Sequence, residues 1–350
     1  MGACRVAEHH FLDRMTTETY DRHRVAALDA VLRLVAGTGY RFIATTPVTH
    51  ERTIARSQGR IGTTLRDIFG WNLPFPNASV AAPLLDAMAK AGILEQSGRG
   101  DLLRSTVRIA TIDDDLFVHS AYPTTDRSAV FFGPDTYRFA RFIRHGLDRP
   151  LSPSRADAMP GPIASLRVLD VGCGSGAGGI VAARALRRSG ISSAVTMNDI
   201  NPEALRYTRV NAAAAGMSVE LAPGDALSSV EGDFDLIVSN PPYLDDASRR
   251  AYRHGGGKLG RELGLRIATE ALQRLSPGGQ LLLYTGVAVV DGCDSFLSEV
   301  SPLLAKAHCQ WSYEEIDPDV FGEELERPVY LHADRSAVVG LSAVRDRPRA

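Results

Sequence analysis

The residues most able to do chemistry stand where an apolar stretch runs into a rigid turn. Phe234–Ser239 is followed directly by Asn240, Pro241, Pro242 and Tyr243. Two consecutive prolines cannot continue a hydrogen-bonded ladder, and the first restricts the residue before it, so Asn240 should be held at the carboxyl end of a strand. Its carboxamide and the neighbouring carbonyls could accept from an NH2 group, while Tyr243 offers a face for stacking. The stretch predicts a clamp for a planar, nitrogen-bearing substrate; a plain surface turn is the alternative.

A glycine-rich turn supplies the second candidate site. Gly172, Gly174 and Gly176 stand between a strand pattern and a helix pattern, and glycine lets the backbone approach a ligand closely. Asp199 follows about 20 residues later, at the end of the next strand pattern, where a carboxylate can accept from both hydroxyls of a ribose. The turn and Asp199 together predict a nucleoside cofactor.

The spacing of the glycines does not decide which nucleoside is bound. Gly174, Gly176 and Gly179 also satisfy the G-x-G-x-x-G pattern of dinucleotide sites. The charge of Asp170 discriminates, because a carboxylate would repel a pyrophosphate but attract an ammonium or a sulfonium. Asp170 therefore favours a cationic nucleoside cofactor over NAD.

Alternating strand and helix patterns must position these residues. Strand patterns occur at Leu166–Val171, Ala194–Asn198, Ser218–Leu221, Phe234–Ser239 and Gln280–Thr285. Helix patterns occur at Ala177–Ser189, Pro202–Ala215 and Arg261–Leu275. This alternation predicts an α/β fold with a parallel sheet wrapped by helices. The β runs Gln310–Ile316 and Ser336–Val344 have no helix pattern between them and should pair antiparallel at one edge.

The first part of the chain has a different order of elements. Helix patterns at residues 16–35, 53–69 and 81–91 are followed by strand patterns at residues 102–109 and 115–120. Three helices and a hairpin are the order of a winged-helix-like module, which can bind DNA, contact proteins or cover a substrate. The third helix carries one lysine and no arginine, so a role in reading DNA is not favoured.

A segment rich in proline, serine and alanine, Asp148–Ser165, marks the candidate domain boundary. The sequence therefore predicts a winged-helix-like substrate or partner domain over residues 1–125. A connecting helix and linker should occupy residues 126–165, and the α/β domain residues 166–350.

Composition sets limits on partners and location. The 350 residues carry a net charge of −2, which gives no overall basic field for gripping phosphates. The four cysteines are far apart and show no CxxC spacing, so we expect neither a metal site nor a disulfide framework. No signal-peptide pattern and no run of 18 apolar residues occurs, so we expect a cytoplasmic protein without a membrane segment.

Four collinear motifs resemble those of the class I S-adenosylmethionine-dependent methyltransferases. They are Asp170–Gly176, the strand end at Asp199, Gly224-Asp225-Ala226 and Asn240–Tyr243. The Asn-Pro-Pro-Tyr form is that of enzymes that methylate amide or exocyclic amino nitrogens. Gly255–Leu265 and, more loosely, Phe132–Tyr137 are similar to segments of the HemK-type methyltransferases, which act on glutamines of release factors.

The resemblance implies a Rossmann-like, seven-stranded sheet and S-adenosylmethionine as the cofactor. The residues implied to bind the cofactor are Asp170, Gly172, Cys173, Gly174, Gly176, Asp199, Asp225, Ala226 and Asn240. The glycines would cradle the methionine part, and Asp170 would lie near its amino group. Asp199 would hold the ribose and Asp225 the adenine amino group.

The same resemblance implies how the acceptor is bound. Asn240 and the carbonyl of Pro241 would accept the two hydrogens of the target NH2, and Tyr243 would stack on its plane, with Pro242 completing the turn. Asn240, Pro241 and Tyr243 are thus the implied catalytic residues. No strong general base is needed for this chemistry, and His254, a lone histidine in a loop, is not expected to act as one.

Three functions remain open at this stage. The first is N-methylation of a protein glutamine or of a small molecule with an amide or amino nitrogen. The second is N6-methylation of adenine in RNA or DNA, for which a basic cluster could hold phosphates; it comprises Arg249, Arg250, Arg253, His254, Lys258 and Arg261. The acidic run Asp317–Glu326 favours a basic or neutral acceptor instead. The third is a non-catalytic regulator that binds S-adenosylmethionine. The sequence predicts no oligomeric state.

Overall fold

The computed structural model describes residues 21–56, 59–148 and 165–347. The chain forms two compact units. One unit holds Met1–Pro123 with Arg209–Gly216, and the other holds Thr124–Thr208 with Met217–Ala350. The three-part division predicted from the sequence stays a prediction.

Helices dominate the first half of the N-terminal unit. The α-helices are α1 (residues 21–36), α2 (Pro47–Arg56) and α3 (Ala82–Lys90), and a π-helical turn covers Arg66–Gly70. Residues 16–20 of the first predicted helix lie outside the described residues. The predicted helix 53–69 is wrong, because Gly59 at φ +83° and Gly62, whose N–H donates to the Pro74 carbonyl, break the helical backbone.

Two short antiparallel pairs follow in this unit. β1 (Leu94–Gln96) pairs with β2 (Leu103–Ser105), and β3 (Val107–Ile112) pairs with β4 (Asp115–Ser120). The predicted hairpin is therefore present, although its first strand is split into β2 and β3. The winged-helix assignment stays a prediction.

A twisted sheet forms the second unit. Its strands are β5 (Leu166–Val171), β6 (Ser193–Asp199), β7 (Glu220–Pro223), β8 (Phe234–Ser239), β9 (Leu275–Val290), β10 (Cys293–Asp294), β11 (Cys309–Asp317) and β12 (Arg335–Arg345). Its helices are α4 (Pro134–Asp148), α5 (Ala177–Arg188), α6 (Pro202–Ala214), α7 (Glu262–Gln273) and α8 (Ser295–Lys306). Seven strands lie in the order β11-β12-β9-β8-β5-β6-β7, and β10 adds a two-residue pairing to β9.

The strand directions match the expectation from the sequence. β7, β6, β5, β8 and β9 run parallel, whereas β12 and β11 are antiparallel additions at one edge. The predicted seven-stranded α/β sheet is confirmed, although β9 is longer than the predicted strand at Gln280–Thr285 and begins where a helix end was predicted. The chain order reverses between β5 and β8, and open α/β sheets bind ligands at the carboxyl ends of strands at such a point.

Burial explains why the central strands hold together. The last four residues of both β5 and β8 are buried, as are Leu281, Leu282 and Leu283 of β9. Parallel strands covered on both faces require such continuous apolar runs.

Within the described residues, no helix is long and apolar enough to cross a membrane.

Candidate active site

The predicted site residues meet at one edge of the sheet. Val171 of β5 pairs with Asn198 of β6 on one side and with Ser239 of β8 on the other. The glycine turn after Val171, Asp199 and Asn240 therefore all follow neighbouring strand ends. The sheet register thus brings together the two halves of the predicted site.

The glycine turn presents an open backbone surface. Gly172 and Gly174 have φ angles of +68° and +56°, which residues with a Cβ rarely adopt. A Cβ on Gly172 would meet nothing within 4 Å. The turn is therefore exposed on the side from which a ligand would approach, while α5 begins directly behind it at Ala177.

Asp170 is a buried carboxyl group under this turn. Its side chain accepts a hydrogen bond from the Gly179 N–H at 2.7 Å through Oδ2. Among the described residues, Oδ1 has no hydrogen-bond partner although it is buried. Burial, opposed in part by the Gly179 hydrogen bond, raises the pKa of Asp170 to about 7. A buried, unpaired carboxyl oxygen fits a ligand that carries a positive charge.

Asp199 is held in place by the backbone. Its two carboxyl oxygens accept from the N–H groups of Gly174 and Asn201, each at 2.8 Å. Burial raises the pKa of Asp199 despite these hydrogen bonds. Each oxygen of a carboxylate keeps a further lone pair, which could accept from a ribose hydroxyl. That contact stays a prediction.

Cys173 is part of the same turn but is not a reactive thiol. It is buried, its Sγ lies 3.4 Å from Thr208 Oγ1, and burial raises the pKa of the thiol. The thiolate needed for nucleophilic attack is thus disfavoured. Its role in cofactor binding, through the backbone of the turn, stays a prediction.

Ile200 is a candidate site residue that the sequence analysis missed. Its side chain is 63% exposed, directly after Asp199. An exposed aliphatic side chain beside Asp199, the carboxylate predicted to bind ribose, is suited to cover one face of a flat base. The signal in the sequence is an isoleucine at the end of β6 in an otherwise polar loop, Asp199-Ile200-Asn201.

Asp225 already has a partner in the structure. It accepts two hydrogen bonds from the guanidinium of Arg266, one of them at 2.9 Å, and this ion pair lowers the pKa of Asp225. The predicted hydrogen bond from an adenine amino group to Asp225 would have to share that carboxylate with Arg266. Ala226, buried at φ +47°, begins a short 3-10 turn behind it. Both roles stay predictions.

The Asn240 carboxamide is a hydrogen-bonding group that the described residues leave unused. It follows β8, it is half-buried, and no hydrogen bond to its side chain is found in the described part of the chain. Pro241 is buried and Pro242 half-buried beside it. A carboxamide with free hydrogen-bonding capacity at a strand end agrees with the predicted role of Asn240 in a clamp for the methyl acceptor.

Glycines at 255 and 260 fix the loop that carries Asn240. A Cβ on Gly255 would lie 2.7 Å from the Pro242 carbonyl oxygen, and one on Gly260 would lie 2.3 Å from the Tyr243 carbonyl oxygen. Only glycine permits this approach of two backbone segments. The sequence showed that Gly255–Leu265 is similar to a segment of the HemK-type methyltransferases. Its contact with the loop that carries Asn240 is seen only in the fold.

The basic cluster is largely paired with carboxylates. Arg250 pairs with Asp246, Arg253 pairs with Glu324 of the acidic run, and Arg261 pairs with Glu299. His254 accepts a hydrogen bond from the Asp246 N–H at Nδ1, 3.2 Å away. Arg249 and Lys258 are exposed. Most of the cluster therefore stabilises the loop rather than presenting free cations. In the described residues, no group of three or more metal-ligating side chains is found.

Comparison with known protein families identifies the kind of domain that this part of the chain forms. Residues 156–289 match the family model described as Methyltransferase small domain. These residues form a methyltransferase domain of the class I, S-adenosylmethionine-dependent type. The Rossmann-like α/β fold class and the family resemblance inferred from the sequence are confirmed, and the winged-helix-like N-terminal domain stays a prediction.

Curated relatives of the methyltransferase domain act on different molecules. A release factor glutamine methyltransferase of Deinococcus radiodurans is 41% identical over 127 residues, which are 33% of this chain and 44% of the relative. Another, of Koribacter versatilis, is 31% identical and covers 44% of this chain and 55% of the relative. A ribosomal RNA small subunit methyltransferase C of Haemophilus influenzae is 33% identical over a match that covers 33% of this chain and 31% of the relative. The chain spans about half the length, or less, of these relatives.

Proposed function

We propose that the protein transfers the methyl group of S-adenosylmethionine to an amide or amino nitrogen of a protein glutamine or of a small molecule. The observation that supports this proposal is that two groups with unused hydrogen-bonding capacity lie at the carboxyl ends of the adjacent strands β5 and β8. The buried Asp170 carboxyl has an unpaired oxygen, and the Asn240 carboxamide has unused hydrogen-bonding capacity. One suits a cationic cofactor, and the other suits an NH2 group.

The cofactor would be held by the glycine turn, Asp170 and Asp199. When bound, it supplies an electrophilic methyl group on a sulfonium. Asp170 would favour its positive charge, because a carboxylate and an ammonium attract each other strongly in a poorly solvated site. The exposed side chain of Ile200 would cover the base.

The protein's own contribution to the reaction is orientation of the acceptor. An amide nitrogen is a poor nucleophile because its lone pair is delocalised. Hydrogen bonds from its NH2 group to Asn240 and to the Pro241 carbonyl would stabilise positive charge that develops on nitrogen in the transition state. Fixing the nitrogen in line with the methyl carbon supplies the larger part of the rate enhancement. The surplus proton then leaves to water.

The charges around the clamp favour a neutral protein group over a nucleic acid. Arg250 and Arg253 are paired with Asp246 and Glu324, so they are not available to hold phosphates without breaking partly buried ion pairs. The likeness to two release factor glutamine methyltransferases supports the same choice. RNA methylation is the second candidate, favoured by the likeness to ribosomal RNA small subunit methyltransferase C.

A transfer assay with two acceptors tests this proposal. Tritiated S-adenosylmethionine is incubated with the protein and either a purified bacterial release factor or small-subunit ribosomal RNA. We expect label in the release factor. Label in the RNA alone would establish the second candidate. No heat on titration with S-adenosylhomocysteine would refute both, because the cofactor site is common to them.

The Asn240→Ala variant tests the clamp. We expect turnover to fall at least 100-fold, because the acceptor loses both binding geometry and charge stabilisation. Affinity for S-adenosylhomocysteine should stay within a few-fold of the wild type. Ser248→Ala, an exposed position of the same loop, is the matched control and should retain full activity. A collapse of cofactor affinity in Asn240→Ala would assign Asn240 to the cofactor site instead.

A further inference from the structure

A buried carboxylate outside the four sequence motifs contacts the acceptor clamp. Asp135 lies in the first turn of α4 and is 8% exposed. It accepts hydrogen bonds from the Tyr243 hydroxyl, from the Tyr284 hydroxyl at 3.1 Å and from Arg138 Nη1 at 3.1 Å. Arg138 also pairs with Asp317 at 2.7 Å. Asp135 thus connects the clamp to strand β9 directly and to the end of β11 through Arg138.

Stability alone gives no reason for such an arrangement. Removing a carboxylate from water is costly, and burial raises the pKa of Asp135 against the lowering effects of its hydrogen bonds and of Arg138. A well-packed apolar side chain of similar size is often as stable as a buried ion pair. What an apolar side chain cannot do is hold two hydroxyl groups in fixed directions, since that requires an acceptor with directional lone pairs.

The Tyr243 ring is confined on other sides as well. A Cβ on Gly286 would lie 2.1 Å from Tyr243 Cδ2, so the ring lies against the bare backbone of β9. The Phe321 ring lies 6.0 Å away between centroids at an interplanar angle of 59°. The ring thus has contacts with Gly286 and Phe321, and its hydroxyl has a contact with Asp135. Tyr243 is 8% exposed, and its predicted stacking on an acceptor stays a prediction.

We propose that Asp135 is a positioning residue for methyl transfer, which fixes the Tyr243 ring so that the clamp presents one rigid surface to the acceptor. The inference rests on the proposed function, since Tyr243 matters only if the clamp binds an acceptor. Of the described side chains that donate hydrogen bonds to Asp135, only Tyr243 is a predicted site residue, so Asp135 would act through Tyr243. The second tyrosine on the same carboxylate, Tyr284, lies in β9 and serves as an internal reference.

Two tyrosine variants separate positioning from structural support. Tyr243→Phe and Tyr284→Phe each delete one hydroxyl that donates to Asp135, and each keeps its ring. We expect comparable decreases in melting temperature for the two variants. Tyr243→Phe should lower kcat for the release factor about tenfold or more, because small displacements at the acceptor are costly. Tyr284→Phe should leave kcat within about twofold, and both should bind S-adenosylhomocysteine as the wild type does.

The isosteric Asp135→Asn variant tests the residue itself. Its kcat should also fall, because the Tyr243 hydroxyl then bonds to a neutral amide instead of a carboxylate. The double variant should be no slower than Tyr243→Phe, because that variant already lacks the contact. Rotational order of the ring is measured separately, by the NMR line of 13C-labelled Tyr243, which should change in Asp135→Asn. That readout does not depend on the identity of the acceptor.

The outcomes distinguish this inference from the proposed function. A wild-type protein that methylates neither acceptor overturns the proposed function and, with it, this inference. A wild-type protein that is active, with equal losses of kcat in Tyr243→Phe and Tyr284→Phe, overturns only the positioning role and makes Asp135 structural. An unchanged Tyr243 line in Asp135→Asn also overturns it.

Discussion

Replacement of Asp170 by asparagine should change how stability depends on pH. Asparagine is nearly isosteric, and its oxygen can still accept from the Gly179 N–H that now binds Oδ2. What it removes is an ionisable group whose pKa is about 7 in the folded protein and about 3.8 when exposed. Between these values the folded protein binds a proton that the unfolded chain does not. The contribution of Asp170 to the stability of the ligand-free wild type therefore falls as the pH rises from about 4 to about 7.

The size of the effect follows from the pKa difference. About three pKa units at about 1.4 kcal/mol each give a change on the order of 4 kcal/mol between pH 4 and pH 8. The unpaired amide hydrogens of the asparagine at the position of Oδ1 would cost about 1–3 kcal/mol. That cost is the same at both pH values, so it cancels when the change with pH is compared between the two proteins.

Thermal unfolding without ligand at pH 4 to 8 is the measurement. At about 2–4 °C per kcal/mol, the melting temperature of Asp170→Asn relative to the wild type should rise by about 8–16 °C across this range. Asp233→Asn, at an exposed carboxylate, is the control and should follow the wild type. The variant should also bind S-adenosylhomocysteine at least tenfold more weakly. A stability difference that does not change with pH would refute the reasoning.

Two further substitutions test the supports of the clamp. Gly260→Ala should be more destabilising than Gly190→Ala by at least about 2 kcal/mol and should lower turnover, because both have φ above +70° but only a Cβ on Gly260 meets a carbonyl oxygen, at 2.3 Å. Equal melting temperatures would contradict this. Glu324→Gln should cost about 1–3 kcal/mol by urea denaturation, because it leaves Arg253 and Arg327 without their shared, buried carboxylate. The exposed Glu323→Gln variant is its control, and an equal loss there would assign no special role to Glu324.

The motifs of the site could be predicted because each is a local event. A strand that ends in glycines or in two prolines is dictated by steric limits on one or two residues. The order of strands and helices then requires a parallel sheet, whose carboxyl ends share one edge. The N-terminal unit was harder. Its second predicted helix was wrong. The apolar residues over 53–69 have helical spacing, but that spacing does not show that Gly59 and Gly62 interrupt the helical backbone.

The sequence by itself determined the α/β sheet, the glycine turn, the Asn-Pro-Pro-Tyr turn and a nucleoside cofactor. Only the tertiary structure decided what surrounds them. Asp135 and Tyr243 are 108 residues apart, and Arg253 and Glu324 are 71 apart. Such pairs depend on which strand lies beside which, and no local pattern encodes that. The turn at Asn240–Tyr243 is thus a local feature, whereas the rigidity that we propose for it comes from distant residues.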